Sequence, residues 1–298
     1  MTFMRTIPYN VTSVFDSVQS PWQNYYGPGK IPFGRLVAHS IIFTRSGHLR
    51  EVEMMESLGN NSQPRRNRLL GSLSLEDFET LLPTFEIKSI QPKEMVYESN
   101  KPITSVYFPL NGVLSILAVV GDAQIEVVEV GNEGMIGIPA FLGSTTTPTL
   151  CFAQFPGDSV LMAVETFRDQ LRARPGFYNV MRSYTLAILN QISQLVACNR
   201  YHNMTQRLAR WLLMTHDRVG ADQFRLTQEL IARMLGVRRA TATEAAQALQ
   251  GAGLISYNRG IIRIVNRPGL VEAACRCYRI IVDDFERLVP GGRHEIQA

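Results

Sequence analysis

Between residues 226 and 265 the chain reads LTQELIARMLGVRRATATEAAQALQGAGLISYNRGIIRIV, and the glycine at 236 constrains it more than any other single residue. Ahead of it, Leu230, Ile231, Met234 and Leu235 recur at helical spacing. Thr227 stands where a helix start needs an acceptor for an orphan amide. Glu229 sets a negative charge in the first turn, against the positive end of the helix dipole. Ala232 is small enough for two short helices to cross closely. Gly236 takes a positive φ without a Cβ clash, so the chain turns sharply there, and Val237 plugs the corner. A second helix is predicted from about Arg238 to Gln250, with Ala242, Ala245, Ala246 and Leu249 on one narrow apolar face. Gly251 and Gly253 end it. Leu254 to Tyr257 and Ile261 to Val265 then read as strands about an Asn258-Arg259-Gly260 turn, with Arg263 on the polar phase. Two short helices around a tight turn, followed by a hairpin, make the plan of a winged helix-turn-helix, which puts its second helix into the DNA major groove.

The other side of that second helix carries Arg239, Ala240, Thr243, Glu244 and Gln247. An arginine forks onto O6 and N7 of guanine, a glutamate accepts from the cytosine amino group, and an alanine meets a thymine methyl. Arg238, Thr241 and Gln228 are better placed for phosphates. Thr227 at the helix start and Arg259 in the hairpin turn complete the expected DNA-binding set. Arginines at 233, 238, 239, 259, 263 and 267 face only Glu229 and Glu244, a positive excess of the kind phosphate contacts need. An amphipathic helix pair with solvated arginines would carry the same charges; the hairpin favours the DNA reading.

At 298 residues the chain has room for two domains and a connecting element. A net charge of +4 neither demands nor excludes nucleic acid. No run approaches the roughly eighteen apolar residues that span a bilayer, and MTFMRTIPYN lacks the apolar core of a secretory signal, so the cytoplasm is the expected compartment. The four cysteines (Cys151, Cys198, Cys275 and Cys277) are scattered apart from the last pair and form neither a disulfide framework nor a zinc-ligand set. No metal is expected, and Cys275-Arg276-Cys277 reads as inert thiols on a helix, with redox sensing as the alternative. Residues 1–66 include the aromatic, glycine/proline-rich PWQNYYGPGKIPFG and lack sustained periodicity. Two readings stay open for them: a disordered extension, or an assigned start upstream of the real one, with Met54 and Met55 just ahead of the patterned region.

From 67 to 175 the pattern is short strands between turns, after a small helix beginning near Ser72 to Asp77. Phe85 to Lys88, Met95 to Tyr97, Ser105 to Phe108, Val113 to Ile116 and Ile125 to Val128 read as strands of a sandwich or barrel. Residues 176–203 then read as one long helix. Phe177, Met181, Tyr184, Ile188, Gln191, Leu195, Cys198 and His202 are spaced alternately by four and three, the heptad pattern of a seam between two copies. Met181, Tyr184, Ile188, Gln191 and Leu195 are the expected dimer seam; the competing explanation is a helix packed on its own barrel. Met204 to Val219 reads as another amphipathic helix, with Leu208, Trp211 and Leu212 inward.

On these residues the chain resembles transcription regulators of the Crp/Fnr family, without a gap from Thr227 to Ile255 and more loosely over roughly 67–225. The resemblance implies an α+β protein: a cyclic-nucleotide-binding-like sensor β-roll over 67–175, a dimerisation helix over 176–203 and a winged helix-turn-helix DNA-binding domain over 204–298. It places base contacts at Arg239, Ala240 and Glu244. The first matches the family's usual arginine and the other two depart from it, so a relative's operator does not carry over. GNEGMIGIPAFLGSTTTPT, residues 131–149, corresponds to the family's phosphate cassette. Gly134 matches the opening glycine, but Met135 stands where a glutamate takes the ribose hydroxyl. Thr145, Thr146, Thr147 and Pro148 stand where an arginine pairs with the phosphate, so a bound phosphate would lose a charge-assisted pair. Gly134, Met135, Ile136, Gly137, Thr145, Thr146 and Thr147 are the candidate effector pocket, offering amides and hydroxyls to an anion, and cyclic AMP is not expected to be its tight ligand.

Iron–sulfur members carry an N-terminal cysteine cluster, and no cysteine here precedes Cys151. A haem sensor would need an axial ligand in the sensor, whereas His202 and His216 lie in the helical part and read as surface or interface histidines. No cofactor is expected, although an unknown small-molecule effector is compatible with the sensor. No Walker loop, GxGxxG, HExxH or GxSxG is present, so neither an enzyme nor a catalytic residue is expected. The implied partners are double-stranded DNA bearing an inverted repeat, a second copy of the chain and, for an activator, RNA polymerase; no membrane is implied. The competing reading is a ligand-binding regulatory protein that uses its winged helix for protein contacts.

Overall fold

In the computed structural model, which describes residues 63–289, two antiparallel sheets of the N-terminal half, a smaller C-terminal one and a set of helices share one continuous hydrophobic core running from Leu69 to Val289. The readings of residues 1–62 lie outside the described residues. One sheet has the order β1 (Glu86–Ile90), β7 (Gly157–Ala163), β3 (Ser105–Pro109); the other runs β2 (Met95–Tyr97), β6 (Leu150–Phe155), β4 (Val113–Val120), β5 (Ala123–Val130). The inner strands β6 and β7 are the two that hydropathy alternation does not reveal. LCFAQF is buried from Leu150 through Gln154, and β7 is buried from Ser159 through Met162. A strand covered on both faces has no polar phase to alternate with.

Three short helices border the sheets: α1 (Arg68–Gly71), α2 (Leu75–Leu81) and α3 (Ile138–Phe141). Asn67 caps α1 through its side-chain oxygen, and its amide group donates to the carbonyls of Pro109 and Gly134, fastening the helix to the sheet and to the loop before α3. After α4 (Val164–Ala173), Pro175 opens the long α5 (Pro175–Tyr201). Proline suits a first helical turn, whose amides have no intrahelical acceptor. At 1.5 Å per residue, α5 is about 40 Å long. Phe177 at its start packs edge-on against Phe167 of α4.

His202 and Asn203 separate α5 from α6 (Met204–Val219), and Asn203 with Gln206 forms a reciprocal capping box at the start of α6. The C-terminal part follows: β8 (Gln223–Arg225), α7 (Gln228–Leu235), α8 (Arg239–Gly251), β9 (Ile255–Asn258), β10 (Ile261–Ile264), α9 (Arg267–Ala273) and α10 (Cys277–Leu288). The hairpin acquires a third strand unforeseen in the sequence, because β8 pairs with β10 on the side away from β9. The last helix, α10, returns to pack along α5, with the rings of Tyr184 and Phe285 6.4 Å apart.

Candidate nucleic-acid interface

The local chemistry read from residues 226–265 produces the expected geometry. Thr227 accepts a hydrogen bond from the Leu230 amide at 3.1 Å and starts α7. Gly236 ends that helix at φ 65°, and the amides of Gly236 and Val237 close back onto Arg233 and Ala232. Arg238 in extended conformation caps α8, whose Ala242, Ala245, Ala246 and Leu249 are buried. On the opposite side Arg239, Ala240, Glu244 and Gln247 are exposed, as is Arg238 ahead of them. Thr227, Gln228, Thr241 and Thr243 are half-buried beside them, and the Thr243 hydroxyl donates to the Arg239 carbonyl at 2.8 Å. At the hairpin tip Arg259 and Gly260 both have positive φ, 48° and 76°. That is the type I′ turn matching strand twist, and it presents the exposed Arg259 beyond the sheet.

Two of the six arginines read as a phosphate-binding excess have other occupations. Arg233 donates to Gln124 in β5. Arg267 pairs with Asp217 at 2.6 Å and with the Tyr278 hydroxyl, tying α9 to α6 and α10. Both sit on helix faces turned toward the rest of the protein, a relation that local sequence does not record. Arg238, Arg239, Arg259 and Arg263 stay on the exposed surface.

The C-terminal helix-turn-helix is docked on the sheet of the N-terminal half. α7 packs on β5, with Gly236 against Ile125, and Phe155 meets Phe224 edge-on at 5.8 Å. Beneath α6 lies a buried polar cluster. Trp211 Nε1 donates to Glu126 at 2.6 Å, and the Thr215 hydroxyl donates to Glu129 at 3.0 Å. Arg218 donates to Glu133 at 2.8 Å and to Glu129 at 3.2 Å. One guanidinium thus serves two closely paired carboxylates, with Glu126 a third acid nearby. Burial raises the Glu129 carboxyl to about 8: Arg218 pulls it down, the neighbouring Glu126 adds to the rise, and burial prevails. Glu133 goes the other way and is held below the usual carboxylate range, because Arg218 and the Gly131 amide outweigh its burial.

The residues expected to form an effector pocket are divided between core and surface. Met135 and Ile136 are buried core residues. Gly134 lies so close to Tyr184 that a Cβ would stand 2.5 Å from its hydroxyl, which itself donates to the Met135 carbonyl at 2.8 Å. The Ile136 amide is spent on Tyr107, and Gly137, at φ 116°, backs onto Val106. Thr145 and Thr146 are exposed, whereas Thr147 is buried and shares a hydrogen bond with Thr149. An arginine does reach this loop, from α4: Arg168 donates to the carbonyls of Ala140 and Ser144. It was not foreseen because it comes from a different element, and its donors brace backbone.

The heptad stripe of α5 also faces inward. Met181, Tyr184, Ile188 and Gln191 are buried by the chain's own α10, loops and core, and Leu195 is half-buried. Within the single chain, these four positions of the expected seam are covered by the chain itself, through α10 as well as the barrel that the competing explanation named, while Leu195 stays partly exposed. Leu186, Leu189 and Val196 are the exposed apolar residues of the opposite face, at 46%, 57% and 67% accessibility. Three of the four cysteines that look scattered in the sequence lie together. Cys198, Cys275 and Cys277 cluster in the interior and His202 joins them, while Cys151 is buried apart in β6. Residues far apart in sequence meet because α10 folds back on α5. His216 instead contacts Asp222 at 2.9 Å.

With this geometry in hand, a family model described as the Crp-like helix-turn-helix domain matches residues 206–273. Among solved structures, a Eubacterium rectale protein assigned to the Crp/Fnr transcriptional regulators is similar at 17% identity and TM-score 0.57, covering 69% of this chain and 96% of that one. The c-di-GMP-responsive global regulator CLP of Xanthomonas campestris is similar at 17% identity and TM-score 0.55, covering 64% and 99%. FixK2 of Bradyrhizobium japonicum is similar at 15% identity and TM-score 0.54, covering 64% and 98%. At these identities the likeness is one of fold. Against curated proteins the sequence finds no match.

Proposed function

The chain carries a Crp-like helix-turn-helix domain on the fold of Crp/Fnr regulators, and from that premise we propose that it is a sequence-specific, DNA-binding transcription regulator acting as a homodimer on an inverted-repeat operator. The observation that carries this is α8. It buries alanines against its own module and turns Arg239, Ala240, Glu244 and Gln247 outward at the spacing that base edges require. Arg238 and Arg259 flank that face as phosphate contacts, with Thr227, Gln228, Thr241 and Thr243 along its border. A two-fold dimer places two such helices about 34 Å apart, one turn of the duplex. The exposed Leu186, Leu189 and Val196 of α5 are the face we assign to the second copy.

The cassette supports an effector other than cyclic AMP. Met135 is packed in the core where the family places a ribose-binding glutamate, and Arg168 is committed to carbonyl groups. A regulator of this kind activates through RNA polymerase or represses where its half-site overlaps a promoter. The Arg239→Ala variant tests the DNA reading. Its affinity for a selected site should fall by about 1–3 kcal/mol, with preference relaxed at one base position. Unchanged affinity in fluorescence anisotropy would instead favour the reading in which the winged helix contacts protein.

A further inference from the structure

At the junction between α5 and the helix-turn-helix module, four side chains with metal-ligand chemistry point at one another. Cys198 and His202 are four residues apart, on one face of the last turn of α5 and its cap. Cys275 and Cys277 flank Arg276 in the bend between α9 and α10. Cys198 Sγ lies 3.4 Å from Cys275 Sγ, Cys277 Sγ lies 3.6 Å from His202 Nδ1, and all four ligand atoms fall within 4.8 Å of one another. Tetrahedral zinc, with Zn–S of about 2.3 Å, holds its sulfurs roughly 3.8 Å apart. The observed separations are of that size. They are too long for a disulfide, at about 2.05 Å, and too compact for an iron–sulfur cluster, whose thiolates must span several atoms.

The surroundings fit a site that carries net negative charge. Three thiolates and a neutral imidazole around a divalent ion leave one negative charge. Arg210, only 3% exposed, lies against Cys198, and its Nε has no hydrogen-bond partner. Gln194 Nε2 donates to Cys277 Sγ at 3.1 Å, the outer-shell bond that orients a thiolate ligand. Cys151 has none of this company and serves as an internal control.

We propose that Cys198, His202, Cys275 and Cys277 form a closed Cys3His site for a single zinc-class divalent cation. All four positions are taken by protein, so the site is structural rather than catalytic. On binding, the three thiols release their protons to solvent and the imidazole coordinates in its neutral form. The ion would tie the end of α5 to the segment leaving the winged helix, so that the helix-turn-helix module is held at its entry, next to Asn203, and at its exit, next to Ala274. It therefore fastens the two chain segments by which that module joins α5 and α10.

The test uses the full chain, purified without a histidine tag under reducing conditions, with zinc and cobalt(II) as probes. The proposal requires one zinc per chain, released as three thiols are titrated with an organomercurial. It also requires, on cobalt substitution, a strong thiolate-to-metal charge-transfer band with the visible bands of a tetrahedral ion. Cys198→Ser and Cys277→Ser should lose that band and Cys151→Ser should keep it. Zinc well below one per chain with no charge-transfer band would overturn the site, as would a band of full strength in Cys198→Ser. Acid-labile sulfide with broad visible absorption would overturn the single-ion assignment. Should a serine variant fail to fold, the mercurial titration of the unaltered chain decides alone: zinc leaving with the third thiol supports the site, and no zinc release refutes it.

Discussion

Glu129 shows how a single side chain couples the two halves to solution conditions. Its carboxyl titrates near 8 in the folded chain and in the ordinary range, about 4.3, when unfolded. The folded state therefore holds a proton that the unfolded chain has released over that interval. The stability contributed is present in full below the unfolded value and is lost as pH rises through about 8. Thermal melts from pH 6 to pH 9 should fall more steeply for the unaltered protein than for Glu129→Gln, which keeps the neutral shape without the titration. Parallel slopes would show that Glu129 is not the group responsible. Gly236 offers a second test at this scale. At φ 65°, with a built Cβ 3.2 Å from Ile125, it resists any side chain on conformational and steric grounds at once. Gly236→Val should lower the melting temperature by several degrees, corresponding to a loss of about 1–3 kcal/mol; an unchanged melt would contradict the described turn.

Among the elements, α5 bears the expected seam. On the proposal that Leu186, Leu189 and Val196 meet a second copy, it carries two apolar stripes. The longer apolar stripe, from Phe177 to Cys198, belongs to the protomer itself. Accordingly, Leu189→Asp and Val196→Asp should shift the sedimentation coefficient from dimer to monomer while leaving the monomer's helical signal in place. Tyr184→Ala should instead lower the melting temperature, because it empties a buried ring site and removes the bond to the Met135 carbonyl. Dimers that survive both aspartates would disprove the assigned face. The helix-turn-helix was legible because its signals are local: a cap at Thr227, a glycine at 236, an alanine face and a two-residue turn. β6 and β7 were not, since burial on both faces erases their alternation. The cysteine–histidine cluster was hidden for a different reason. Its ligands converge only through the return of α10, and spacing in sequence gives no hint of that.

For the whole molecule, the docking of α7 on β5 places the N-terminal sheets and the helix-turn-helix in one hydrophobic core. The burial of Met135 and Ile136 is the ground on which the proposal sets cyclic nucleotides aside as tight ligands. Calorimetry should show no submicromolar binding of cyclic AMP or cyclic GMP, and such binding of either would overturn that part of the account. The central claim is that an exposed helix bearing Arg239 and Glu244 reads base edges. Its most direct measurement is selection of bound sequences from a random duplex pool by the full-length protein, followed by titration of the winner against bulk DNA at physiological salt. The account predicts an inverted repeat with half-sites one helical turn apart, bound at least about a thousandfold more tightly than bulk DNA. No enriched sequence, or equal affinity for the selected duplex and bulk DNA, would contradict it.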